Sequence, residues 1–159
     1  YQKNFSKEKF KIFHPGGNIG KSLLLAKDIM VDGSKMPTVD YKSSFKKVLK
    51  IMNEKKLGVV VILKNKFIKG LITDGDLRRD FKNLNRKDSF DDYITKVPQI
   101  VNISMTASKA LAIMNEKKIT SLLVVSDKDI TKKNKKLIGI IHIHSLLQSG
   151  IKWFPEVKK

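Results

Sequence analysis

Hydrophobic residues in this chain fall into two kinds of run that alternate along it. Phe45, Val48, Leu49 and Met52 recur at helical spacing, as do Ala107, Ala110, Leu111 and Met114, so each set lines one face of an α-helix. After each helix come short runs rich in β-branched residues: Val59–Leu63 and Phe67–Ile72, then Leu122–Val125 and Leu137–Ile141. They are too short for buried helices and read as strands. The polar turn Lys64–Lys66 closes the first strand pair into a tight hairpin, whereas Ser126–Lys136, rich in Lys and Asp, forms an extended, solvated tip on the second. A closing helix follows each pair, from Asp74 to about Phe81 and from Ile143 to Ser149, with Gly150 a natural stop. Lys82–Ser89 is a polar connector.

The chain therefore repeats itself. The hexapeptide IMNEKK occurs at Ile51–Lys56 and again at Ile113–Lys118, each time ending the amphipathic helix, and Asp28–Val31 is echoed by Asp92–Thr95 as an extended opening segment. Each copy is too small to cover both faces of its sheet, and packing the two sheets together about a pseudo-twofold axis solves that. The fold expected is α/β (α+β): two β-α-β-β-α units packed sheet to sheet, with two equivalent clefts.

Upstream of the repeats, Phe5, Lys9 and Ile12, then Phe10 and Phe13, stand at helical spacings with Ser6 as the N-cap candidate, and His14, Pro15, Gly16 and Gly17 break that helix. A second short helix is expected from Asn18 to Ala26. The first looks like the end of a helix belonging to a preceding domain, since the chain opens without methionine.

Charge changes this picture less than its size implies. The formal charge is +18, but of 33 basic residues only Arg78, Arg79 and Arg86 are arginine, and the lysines are spread along the chain without interleaved aromatics. Nucleic-acid recognition leans on the arginine fork, so a solvated lysine surface is the preferred reading. No transmembrane run or signal peptide is present in these 159 residues, cysteine is absent, and His14, His142 and His144 lack companions for a metal. A cytoplasmic location without membrane partner is the expectation.

The most informative stretch is GLITDGDLRR, Gly70–Arg79, where a strand ends and a helix begins. Thr73 and Asp76 stand at the helix mouth. They form either a capping box or a nucleotide site, in which the helix mouth faces a phosphate and the carboxylate takes a ribose hydroxyl. Arg78 and Arg79 diverge by about 100 degrees on a helix, so at most one faces such a ligand.

With its repeat, element order and GLITDGDLRR signature, the sequence resembles a tandem pair of CBS domains, over Lys27–Ile151. The resemblance implies ligand-binding roles for Gly70, Thr73 and Asp76; from the first turn of the helix one of Arg78 and Arg79, Arg78 being preferred, would reach a phosphate. In the second copy the matching positions are His142 and Ser145, which removes the ribose carboxylate; His142 then either caps its helix or contacts a different anion. FHPGGNIGKSLLL followed by DIM resembles the junction between the sugar-isomerase (SIS) domain and the CBS pair in arabinose-5-phosphate isomerases of the KpsF/GutQ family. That implies a division into an SIS remnant and linker (1–26), two CBS domains (27–87 and 88–151) and a tail (152–159). It also implies that His14 belongs to the parent enzyme's active site, that this stretch alone turns over no sugar, and that its partners are an upstream SIS domain and a second copy of the chain. No covalent cofactor is implied; the regulatory ligand would be AMP, ADP, ATP or CMP-Kdo. Trp153 and Phe154 offer either a dimer contact or packing on their own domain.

Overall fold

The computed structural model describes residues 24–79 and 89–151. His14, the helix over Phe5–Phe13, connector residues 82–88, and Trp153 and Phe154 lie outside them. Among the described residues, five helices and six strands are ordered α1 (Ala26–Ile29), β1 (Thr38–Asp40), α2 (Phe45–Lys55), β2 (Val59–Lys64), β3 (Phe67–Thr73), α3 (Asp74–Arg79), β4 (Ile100–Asn102), α4 (Ala107–Lys117), β5 (Ser121–Val125), β6 (Gly139–His142) and α5 (Ile143–Gln148). Single 3-10 turns lie at Gly33–Lys35 and Asp91–Tyr93.

The strands form two three-stranded sheets, β1-β2-β3 and β4-β5-β6, in which the first pair is parallel and the second antiparallel. The two-residue turn of the first hairpin carries both Asn65 and Lys66 at positive φ, 51° and 69°, the conformation that matches strand twist. Helices α2 and α4 start under hydroxyl caps, Ser44 accepting from the Lys47 N–H and Thr106 from the Lys109 N–H. Both end on a left-handed lysine, Lys56 and Lys118, the last residue of each IMNEKK copy. All four apolar residues of the α4 stripe are buried, whereas in α2 Phe45 and Val48 are buried and Leu49 stays exposed at the rim.

Val59, Val61 and Leu71 of the first sheet meet Leu123 and Ile140 of the second, together with Leu137, in a core between the sheets. Each sheet's outer face is covered by its own helices.

Two expectations are corrected. The extended openings are not the first strands: Ala26–Ile29 is a helical turn whose Asp28 carboxylate accepts from the Leu25 N–H, and Asp91–Tyr93 is a 3-10 turn. The first strand of each unit is the short parallel one about ten residues further on, Thr38–Asp40 and Ile100–Asn102. Ala26 accordingly begins a helix rather than ending one. The last strand of the second unit, expected over Leu137–Ile141, runs over Gly139–His142, because Leu137 and Ile138 still emerge from the long tip, which is tied by Ile68 N–H to the Lys135 carbonyl.

The openings are exchanged between units. Val31 pairs with Ile140 of the second sheet, and Ala26 is buried with Ala107, Leu122 and Ile141. Thr95 in turn pairs with Leu71 of the first sheet, while Phe90 and Tyr93 are buried with Val39, Phe45 and Ile72. Tyr93 stacks on Phe45 at 5.6 Å between ring centroids. Each repeat is thus completed by the other's first residues.

Candidate functional site

Thr73 ends β3 where the Asp74 N–H bonds the Gly58 carbonyl, and this turn aims Thr73 and Asp76 out of the sheet end. The Thr73 hydroxyl accepts from the Asp76 N–H at 3.1 Å and donates to Asp76 Oδ2 at 2.6 Å; that same oxygen accepts from the Thr73 N–H at 2.9 Å. The capping box is therefore present. Asp76 Oδ1 pairs with the Arg79 guanidinium, and Arg78 donates to Asp74 at 2.5 Å.

These groups edge a cleft of about 510 Å³ between the two repeats. One wall is Thr73, Asp74, Gly75, Asp76 and Arg79; the floor is apolar, from Val59 and Leu71; the facing wall comes from Val97–Gln99 and from Lys117–Ser121 at the end of α4. An apolar floor edged by a few convergent polar groups is the make-up of a small-molecule site. Of the groups expected from sequence, Thr73 and Asp76 line this cleft. Arg78 does not: it pairs with Asp74 and is exposed, while its neighbour Arg79 faces the cleft.

Gly70 lies beneath the exchanged segment, where a β-carbon would meet Thr95 O at 2.5 Å and the Ile94 side chain closer still. Gly139 lies beneath the other exchanged segment, where a β-carbon would meet the Met30 side chain, Cγ at 2.8 Å and Cβ at 3.1 Å. Both glycines permit a backbone crossing.

In the second unit, His142 stands in the place of Thr73, 7% exposed, and caps α5 by accepting from the His144 N–H at Nδ1, 3.3 Å away. Burial, and then the neighbouring His144, hold its pKa below the usual histidine value, which keeps Nδ1 free to accept. Ser145 is half-buried one turn on. The capping role of His142 is the one the geometry displays.

Of the arginine pair, of which the sequence allowed one to face the cleft, it is Arg79 that does; Lys117, Lys118 and Ser121 are cleft residues that sequence reasoning missed. The signal for the lysines was present in the second IMNEKK, which sits at the cleft of the other repeat. Ser121 Oγ is buried without a hydrogen-bond partner among the described residues. Also among the described residues, no group of three or more His, Asp and Glu side chains could hold a metal, and no helix is long and apolar enough to cross a membrane.

The CBS domain family model matches residues 26–83 and 90–151. The chain belongs to the CBS domain family. It is 38% identical over 154 residues to the arabinose 5-phosphate isomerase KdsD of Yersinia pestis, covering 94% of this chain and 44% of that protein. The chain spans less than half the length of the curated relatives it matches, 45% for an uncharacterised protein of Rickettsia prowazekii that is 38% identical. Among solved structures it is similar to CBSX2 in complex with AMP, with a TM-score of 0.65 and 22% identity, over 80% of this chain and 96% of that one. The CBS pair of MJ0100, in complex with 5'-methylthioadenosine and S-adenosylmethionine, gives a TM-score of 0.67 at 17% identity, over 79% and 94% of the two chains. These likenesses establish the fold: a CBS pair.

Proposed function

We propose that this CBS pair is the nucleotide-sensing regulatory module of an arabinose 5-phosphate isomerase, with the ligand held in the cleft of Thr73 and Asp76. The observation that carries the reading is the convergence on one cleft of a hydroxyl-carboxylate pair, a guanidinium and an apolar floor. The kinship to KdsD supports the parent activity, interconversion of ribulose 5-phosphate and arabinose 5-phosphate on the way to Kdo and lipopolysaccharide, in the cytoplasm. The AMP-bound and S-adenosylmethionine-bound relatives of the fold support an adenosine ligand. AMP, ADP and ATP are the first candidates; CMP-Kdo is the candidate that pathway feedback favours.

In this reading the catalytic acid-base groups lie in an upstream SIS domain, to which His14 would contribute. A ligand bound between the repeats acts by favouring one of their arrangements, which requires different affinities for the two states. Asp76 already accepts from Thr73 and Arg79, so a ribose hydroxyl donating to it displaces the Arg79 contact and frees that guanidinium for a phosphate.

Thermal unfolding with adenosine nucleotides and CMP-sugars tests the reading. A ligand at one hundred times its dissociation constant adds about 2.7 kcal/mol of stability, and Asp76→Ala removes the shift. Stability unmoved by every ligand would leave a structural or oligomerising CBS pair instead.

A further inference from the structure

The cleft has a charge pattern that the Thr73–Asp76 motif does not account for. Both of its carboxylates are matched from their own helix, Asp74 by Arg78 and Asp76 by Arg79. What remains are Lys117 and Lys118 on the facing wall, contributed by the other repeat. Glu116, the ion partner of Lys117 at 3.2 Å, is itself exposed and stands outside the cleft lining.

Lys118 is held left-handed at φ 54° by its own N–H, which bonds the Asn115 and Met114 carbonyls and fixes where its side chain leaves the helix end. The first repeat has the same pair, but there the Lys55 ammonium is used internally, donating to the Ser34 carbonyl at 2.6 Å. Of the two copies it is Lys117–Lys118 that lines the Asp76 cleft, whereas Lys56 of the first copy stands beside Leu49, Met52 and Gly58.

Resting on the nucleotide reading above, we infer that Lys117 and Lys118 form a phosphate wall that selects a nucleoside di- or triphosphate over a monophosphate. One phosphate is met by Arg79 near the ribose end; a second and third reach across the cleft to the two ammonium groups. Ammonium groups act as point charges, so this wall counts negative charge rather than reading geometry.

Calorimetric titration of adenosine, AMP, ADP and ATP into this chain tests the inference, beside a Lys117→Gln, Lys118→Asn double variant. Both lysines are exposed, and asparagine tolerates the left-handed backbone. In the parent chain ADP binds about five- to tenfold tighter than AMP, the sum of two exposed charge contacts. In the variant that ratio falls to near one, with adenosine affinity unchanged. Equal affinities for AMP and ADP in the parent chain, or a ratio that survives the double substitution, would overturn the inference while leaving the nucleotide site standing. Failure of all four compounds to bind would overturn both.

Discussion

Gly70 passes so close under Thr95 that a β-carbon on it would approach the Thr95 carbonyl oxygen to 2.5 Å. The two segments are locked there by reciprocal bonds, Leu71 N–H to the Thr95 carbonyl at 3.2 Å and Thr95 N–H to the Leu71 carbonyl at 2.8 Å. Gly139 and Met30 repeat the crossing in the second unit, beside the Val31 to Ile140 pair. Gly70→Ala must push backbone against backbone and costs about 1–3 kcal/mol. Gly139→Ala meets the Met30 side chain first, whose sulfur and Cγ swing aside more readily than backbone, and costs less. Urea unfolding of the two variants measures the difference; equal losses would contradict the crossing as described.

Those crossings explain what the sequence could and could not disclose. The helices, the strand pairs and the sheet-to-sheet packing follow from spacing and from the repeat, since each amphipathic stripe and β-branched run is local. The short parallel strands Thr38–Asp40 and Ile100–Asn102 carry three residues each, too few for a periodic signal. The exchange of opening segments leaves no local trace, because Ala26 and Phe90 look equally apolar whichever unit buries them. At the cleft, Thr73 and Asp76 were legible as a motif within four residues of chain. Lys117, Lys118 and Ser121 come from the other repeat, and only the fold brings them there.

The hydroxyl caps of α2 and α4 are equivalent in the two repeats, Ser44 and Thr106 each accepting at 3.3 Å. Ser44→Ala and Thr106→Ala should each lower stability by about 1 kcal/mol. Because the sites are far apart in sequence and cap separate helices, the double variant should lose about the sum, which chemical denaturation would read.

His142 gives the fold a mild acid sensitivity. Its pKa is lower when folded than when unfolded, so the unfolded chain binds the extra proton first as pH falls. The stability that neutral His142 supplies is complete above the unfolded value, about 6.5, and declines as pH drops from there towards the folded value. A Ser at this position keeps a cap acceptor that does not titrate. His142→Ser should therefore flatten the dependence of melting temperature on pH just below about 6.5, and an unchanged slope would remove His142 as its source.

Of the two clefts that the repeat implies, the one with Asp76 is proposed as the sensing site. Isothermal titration of the chain with ADP tests it most directly. One ADP is expected to bind per chain, and none to the Asp76→Ala variant. Two ADP per chain, or undiminished binding by that variant, would contradict it.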